Sequence, residues 1–129
     1  MRTILSKSWI GGRFMRKNRV QRGDIWMVNL LFSRGDVLRG PHPAIVISSD
    51  LTNRNSRIVT VVPLTSSVRP PMPCHVKVSG FGLKKQSTAL AEQLTTIPQS
   101  CLRFRMGSLT DSVKMAELEQ AVMRQLEVA

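Results

Sequence analysis

The run Asp24-Ile25-Trp26-Met27-Val28-Asn29-Leu30-Leu31 decides the fold class. It is dense in aromatic and β-branched residues and bounded by Gly23 and Gly35, so it reads as a strand. Residues 33–42 then carry Gly35, Gly40 and Pro41 and read as a loop. Residues 43–48 form a short continuous apolar run, as expected of a buried strand. Residues 50–56 are polar and read as a turn. Residues 57–64 are a third strand, in which Pro63 demands a bulge or an edge position. Residues 66–73 contain three prolines and form a loop. Cys74-His75-Val76-Lys77-Val78 alternates, with Cys74, Val76 and Val78 on one face and His75 and Lys77 on the other. Gly80 and Gly82 turn the chain towards a fifth strand over 87–94, and a further extended segment is expected over 103–106. From Asp111 to Leu126, Met115, Leu118, Val122 and Leu126 recur at helical spacing, with Thr110 or Asp111 as the cap. Short strands followed by one terminal helix predict a mainly β chain with α: a small, strongly bent sheet or barrel beside a helix.

Composition limits what such a domain does. The 129 residues suit one core, and 42% hydrophobic content argues against disorder. No run approaches the ~18 apolar residues of a membrane helix, and no signal-peptide pattern implies an oxidising compartment, so a cytoplasmic protein without a membrane partner is expected. The formal charge of +11 makes a polyanion the expected partner. The charge is uneven: residues 1–20 carry +6 with no acid, residues 21–110 carry +7, and residues 111–129 carry −2. Residues 1–20 lack a sustained period and are broken by Gly11-Gly12. They read as a flexible basic arm, or as translated leader ahead of a start near Met15, preceding a domain over 21–129. Their Arg-rich, acid-free composition is also that of a transit peptide.

The reactive inventory is small. Outside the last helix the acids are Asp24, Asp36, Asp50 and Glu92, scattered and without the paired carboxylates of a two-metal nuclease. His42 and His75 lack zinc-enzyme spacing, and the two cysteines cannot make a zinc site by themselves. There is no phosphate-cradling loop and no nucleophile elbow. RNA cleavage remains open, because the 2′-hydroxyl supplies the nucleophile and needs only a base, an acid and groups that stabilise charge. The segment 34–42 offers Arg34, Arg39 and His42, and Thr65-Ser66-Ser67 adds hydroxyl donors.

The order of segments resembles one family. Arg22-Gly23-Asp24-Ile25-Trp26, then Gly40-x-x-Pro43-Ala44-Ile45-Val46-Ile47-Ser48, resembles the opening of the MazF/PemK toxin endoribonucleases. Val61-Val62-Pro63-Leu64-Thr65-Ser66, His75-Val76-x-Val78, Gly82-Leu83 and Glu92-Gln93-Leu94-Thr95-Thr96-Ile97 follow in that family's order, and the likeness runs from about Arg22 to Val128. The resemblance implies an SH3-like barrel of bent antiparallel strands with a C-terminal helix, shared with the CcdB-like proteins, and a homodimer. It implies cleavage of single-stranded RNA (mRNA) at short sequences through a 2′,3′-cyclic phosphate, with neither metal nor cofactor. It also implies a cognate antitoxin with an acidic tail.

Transferred residue by residue, the family's catalytic arginine falls at His42 and its assisting threonine at Thr65. A glutamate common in the first loop falls at Val37; the acid of some relatives matches Glu92, whose arginine partner is Leu90 here. The expected catalytic set is therefore His42, Thr65 and Arg39, with Arg34, Gly40, Ser66, Ser67, Glu92 and Gln93 binding RNA. Two readings of His42 stand. Either it transfers protons, as an imidazole titrating near ~6.5 is suited to do, with Arg39 or Arg34 supplying positive charge, or it is a loop residue of a weakened relative. Such a relative acts by binding RNA or antitoxin, or poisons gyrase as CcdB does. His75 reads as a structural residue and both cysteines as small core residues. Glu92 either transfers protons or fixes a neighbouring group.

Overall fold

In a computed structural model, residues 9–10, 13–14, 19–30 and 35–128 are described. Strands β1 (Trp9–Ile10) and β2 (Arg13–Phe14) pair with each other, Trp9 opposite Phe14, within the segment read from sequence as a periodless arm. The rest of that arm lies outside the described residues, save its last two. Of those, Val20 is buried and belongs to the same core cluster as Trp26. The other elements are β3 (Asp24–Leu30), β4 (Gly40–Val46), α1 (Asp50–Asn55), β5 (Ile58–Thr65), β6 (His75–Val78), β7 (Ser87–Leu90), β8 (Thr95–Pro98), β9 (Leu102–Ser108) and α2 (Val113–Leu126).

Strands β3 to β9 form one antiparallel sheet in the order β6-β7-β5-β4-β3-β9, with β8 also paired to β5. The ladder does not close into the expected barrel, although its ends meet. A Cβ on Gly82, after β6, would strike the Met106 carbonyl of β9, and one on Gly107 would strike the Phe81 carbonyl. Two glycines thus allow backbone-to-backbone contact where hydrogen-bonded closure is missing.

Alternation along the strands gives the sheet two buried faces. Trp26, Val28, Ala44, Val46, Val59 and Val61 face one core with Ile97 and Leu102. Ile25, Ile45, Val62, Leu64, Val76 and Ala89 face the other, which α2 covers with Met115, Leu118 and Ala121.

Four local expectations are corrected. Residues 50–56 are not a turn but the helix α1, because Ser49 Oγ accepts the Thr52 amide proton (3.1 Å) and caps it. The strand expected over 87–94 stops at Leu90, turns through a short 3₁₀ segment (Ala91–Gln93), and resumes as β8. It breaks because β7 and β8 pair with different parts of β5: β8 with residues 58–61, β7 with Leu64 and Thr65. Pro63 stands in the gap between them, where that edge of β5 has no ladder partner, so its missing N–H costs nothing there. Helix α2 starts later than predicted and is capped by Ser112, not Thr110 or Asp111, and Leu126 is exposed rather than packed. Finally, β4 begins at Gly40, so His42 is a strand residue and not a loop residue.

Candidate active site

Strands β4 and β5 run antiparallel with Ala44 opposite Pro63 and Ile45 opposite Val62. Carried two residues on, this register sets His42 beside Thr65 at the open end of the pair. The His42 ring reaches the strand next to it: Nδ1 lies 3.3 Å from the Leu64 carbonyl oxygen. A carbonyl only accepts, so Nδ1 carries the donated proton and the neutral ring keeps its lone pair on Nε2. Thr65 is buried, and its Oγ1 accepts the Ser67 amide proton at 3.2 Å. Its own hydroxyl proton is left to donate elsewhere. A potential proton acceptor and a proton donor thus lie side by side on two rigid strands.

The register extends this pair into a row. Thr65 is opposite Thr88 on β7, and Thr88 is opposite Lys77 on β6. Directly opposed residues share a face of the sheet. His42, Thr65, Thr88 and Lys77 therefore cross four adjacent strands on one face, over roughly 14 Å at the usual strand spacing. Lys77 is exposed and Thr88 and His42 are half-buried. Sequence reasoning passed over Thr88 and Lys77. The alternation at 75–78 shows that Lys77 leaves the α2-covered core, but only the strand order brings it into line with Thr65.

The remaining expected site residues divide. Arg39, Ser66 and Ser67 are exposed around the row, and Gly40 turns the chain into β4 with a φ of 77°. Arg34 lies outside the described residues. Gln93 acts as a clamp: its Oε1 accepts the Leu38 amide proton (2.7 Å) and its Nε2 donates to the Asp36 carbonyl (3.1 Å), holding the loop that leads to Arg39. Beside the clamp is a cleft of about 160 Å³ lined by Asn29, Val37, Leu38, Pro63, Gln93 and Thr95, among others. Glu92 is engaged elsewhere, with His75 and Cys74. Burial alone would raise the Glu92 pKa, but hydrogen bonds from His75, its own backbone amide and Cys74 outweigh that and lower it. Burial first, and then Glu92, push the Cys74 thiol up.

Residues 21–126 match the family model described as "PemK-like, MazF-like toxin of type II toxin-antitoxin system". The chain belongs to this family. Endoribonuclease MazF9 of Mycobacterium tuberculosis is 31% identical over 116 residues, covering 84% of this chain and 98% of that one. Among solved structures, the Mycobacterium tuberculosis toxin MazF-mt6 superposes with a TM-score of 0.69 at 21% identity, covering 82% of this chain and 98% of its own. A mycobacterial endoribonuclease solved in complex with its cognate antitoxin gives 0.67 at 20% identity, with 87% and 97% covered. The MazF-like fold thus accounts for the open sheet and the terminal helix. His42 stands where the resemblance in sequence places an arginine. Among the described residues no helix is long and apolar enough to cross a membrane.

Proposed function

We propose that this chain is the toxin endoribonuclease of a type II pair. It cleaves single-stranded RNA, chiefly mRNA in the cytoplasm, at short sequences, works as a homodimer and is neutralised by a cognate antitoxin with an acidic segment. The observation that carries the reading is His42 Nδ1, 3.3 Å from the carbonyl of Leu64, the residue that precedes Thr65 on β5.

The chemistry follows from the atoms available. His42 Nε2 takes the proton of the attacking 2′-hydroxyl. The 2′-oxygen forms a bond to the adjacent phosphorus, and the bond to the 5′-oxygen breaks. The Thr65 hydroxyl donates to a non-bridging oxygen while charge accumulates there. Protonated His42, or water, returns a proton to the departing 5′-oxygen, leaving a 2′,3′-cyclic phosphate. Lys77 at the end of the row and the exposed Arg39 hold neighbouring phosphates. The cleft beside Gln93 suits an unstacked base of the kind single-stranded recognition uses. No step here calls on a metal. Among the described residues the one three-ligand cluster is at Cys74, His75 and Glu92, not at His42 and Thr65.

The test is incubation of purified protein with a long RNA in the presence of chelator, followed by end analysis. The expected products carry 2′,3′-cyclic phosphate and 5′-hydroxyl ends. Thr65→Val lowers the rate by about 10²-fold, the usual cost of losing one charge-stabilising donor. Absence of cleavage, or a 5′-phosphate product, would overturn the reading.

A further inference from the structure

Cys74, His75 and Glu92 lie off the row just described, and the proposed RNA chemistry uses none of them. Backbone pairing brings them together. His75 is opposite Leu90 across β6 and β7, and the Ala91 amide donates to the Cys74 carbonyl at 3.2 Å. The 3₁₀ turn that follows swings Glu92 back over the start of β6. Its two carboxylate oxygens then meet two different groups: Oε1 is 3.3 Å from Cys74 Sγ, and Oε2 is 2.8 Å from His75 Nε2. All three groups place a ligand atom within 4.8 Å of the others. Cys74 is buried, the His75 side chain is 8% exposed and the Glu92 side chain is 23% exposed.

The structure assigns this cluster as a binding site for a zinc-type divalent cation. One thiol sulfur, one imidazole nitrogen and one carboxylate oxygen are the donor types zinc takes, and three protein ligands leave a fourth position for water. Ligands about 2.0–2.3 Å from a tetrahedral zinc sit roughly 3.3–3.8 Å from one another. The Sγ–Oε1 separation already matches, and the others need adjustments of about an ångström. A thiol excludes magnesium and calcium as the preferred occupant, because those ions select all-oxygen sites. Loading displaces the thiol proton to solvent and shifts the remaining imidazole proton to Nδ1, so that sulfur and Nε2 both face the metal. Glu92 is the most exposed of the three.

The site ties the start of β6 to the turn whose next residue, Gln93, clamps the loop before Arg39. The cation is thus a staple beside the RNA-cleaving row rather than a participant in it. This inference is independent of the proposed reaction.

The full-length, untagged protein, reduced and stripped with chelator, is titrated with cobalt(II). One equivalent is expected to produce the near-ultraviolet thiolate-to-cobalt charge-transfer band, and zinc is expected to abolish it by displacement. Cys101 is the other cysteine, so Cys101→Ser keeps the band and the isosteric Cys74→Ser loses it. His75→Ala and Glu92→Gln each weaken zinc binding, read by competition with a chromogenic chelator, by at least about tenfold, a loss typical even of residues supporting a metal site. Failure of cobalt to produce the band overturns the assignment. So does zinc affinity that is unchanged in both His75→Ala and Glu92→Gln.

Discussion

Replacing His42 with alanine separates catalysis from folding. Among the described residues the ring's one polar contact is the Nδ1 bond to the Leu64 carbonyl, in a half-buried setting. Losing it costs about 0.5–1.5 kcal/mol, a fall in Tm of roughly 2–6 °C for a chain of this size. General-base assistance is worth about 10²–10⁴-fold, which at 1.36 kcal/mol per decade is roughly 3–5 kcal/mol of barrier. The variant therefore stays folded while single-turnover cleavage of a short RNA falls by about 10³-fold. Added imidazole restores part of the rate by supplying the missing base. His42→Arg installs the residue that the family resemblance places there. It regains positive charge but cannot accept a proton near neutrality. Its rate is expected between those of the wild type and His42→Ala. Cleavage by His42→Ala within about threefold of wild type would remove His42 from the mechanism and with it the meaning of the tautomer.

Other expectations follow from the same geometry. Lys77→Ala weakens RNA binding without changing products, and lowers the slope of log affinity against log salt by about 0.7 for the one phosphate it holds. An unchanged slope would take Lys77 out of the groove. Gly107→Ala forces a methyl group into the Phe81 carbonyl and costs about 1–3 kcal/mol or more. Gly80→Ala, with open space around it and a φ of 81°, costs only the left-handed strain of about 1–2 kcal/mol. Urea melts of the two variants compare these costs, and equal values would refute the close approach of the sheet's ends. In metal-free protein, the lowered Glu92 pKa means that the unfolded chain binds more protons across the acid window. The Glu92 contribution is therefore present above the ordinary glutamate value of ~4.3 and lost as pH falls through the lower folded value. Cys74 is the reverse: its raised pKa gives the folded state more protons above the ordinary thiol value of ~8.5, so its contribution declines as pH rises from there. Denaturation midpoints against pH should show both limbs, the acid one flattened in Glu92→Gln and the alkaline one in Cys74→Ala.

Period and punctuation carried much of the architecture. The strand-like composition of residues 24–31 and 57–64, the two-residue alternation of residues 74–78 and the helical spacing of Met115, Leu118 and Val122 are local properties, so they survive without knowledge of partners. Where the reading failed, the deciding contact was between segments distant in the chain. Residues 87–94 look like one strand until β7 and β8 divide the edge of β5 between them. His42 looks like a loop residue until β3 and β4 pair as far as Gly40. The helix α1 is the exception: Ser49 and Asp50 formed a legible start signal, and the polar composition of residues 50–56 masked it.

By itself the sequence determined a basic, mainly β chain with a terminal helix, its place beside the MazF/PemK toxins, and Thr65 with His42 as the pair to watch. Tertiary structure decided what those residues face. Sheet order put Thr88 and Lys77 in line with them, the Leu64 carbonyl chose the nitrogen that keeps its lone pair, and one 3₁₀ turn gathered Cys74, His75 and Glu92. The physical reason is that residue type and spacing set the local conformation, whereas register and strand order, stabilised by burial on both faces of the sheet, set which side chains from distant segments meet.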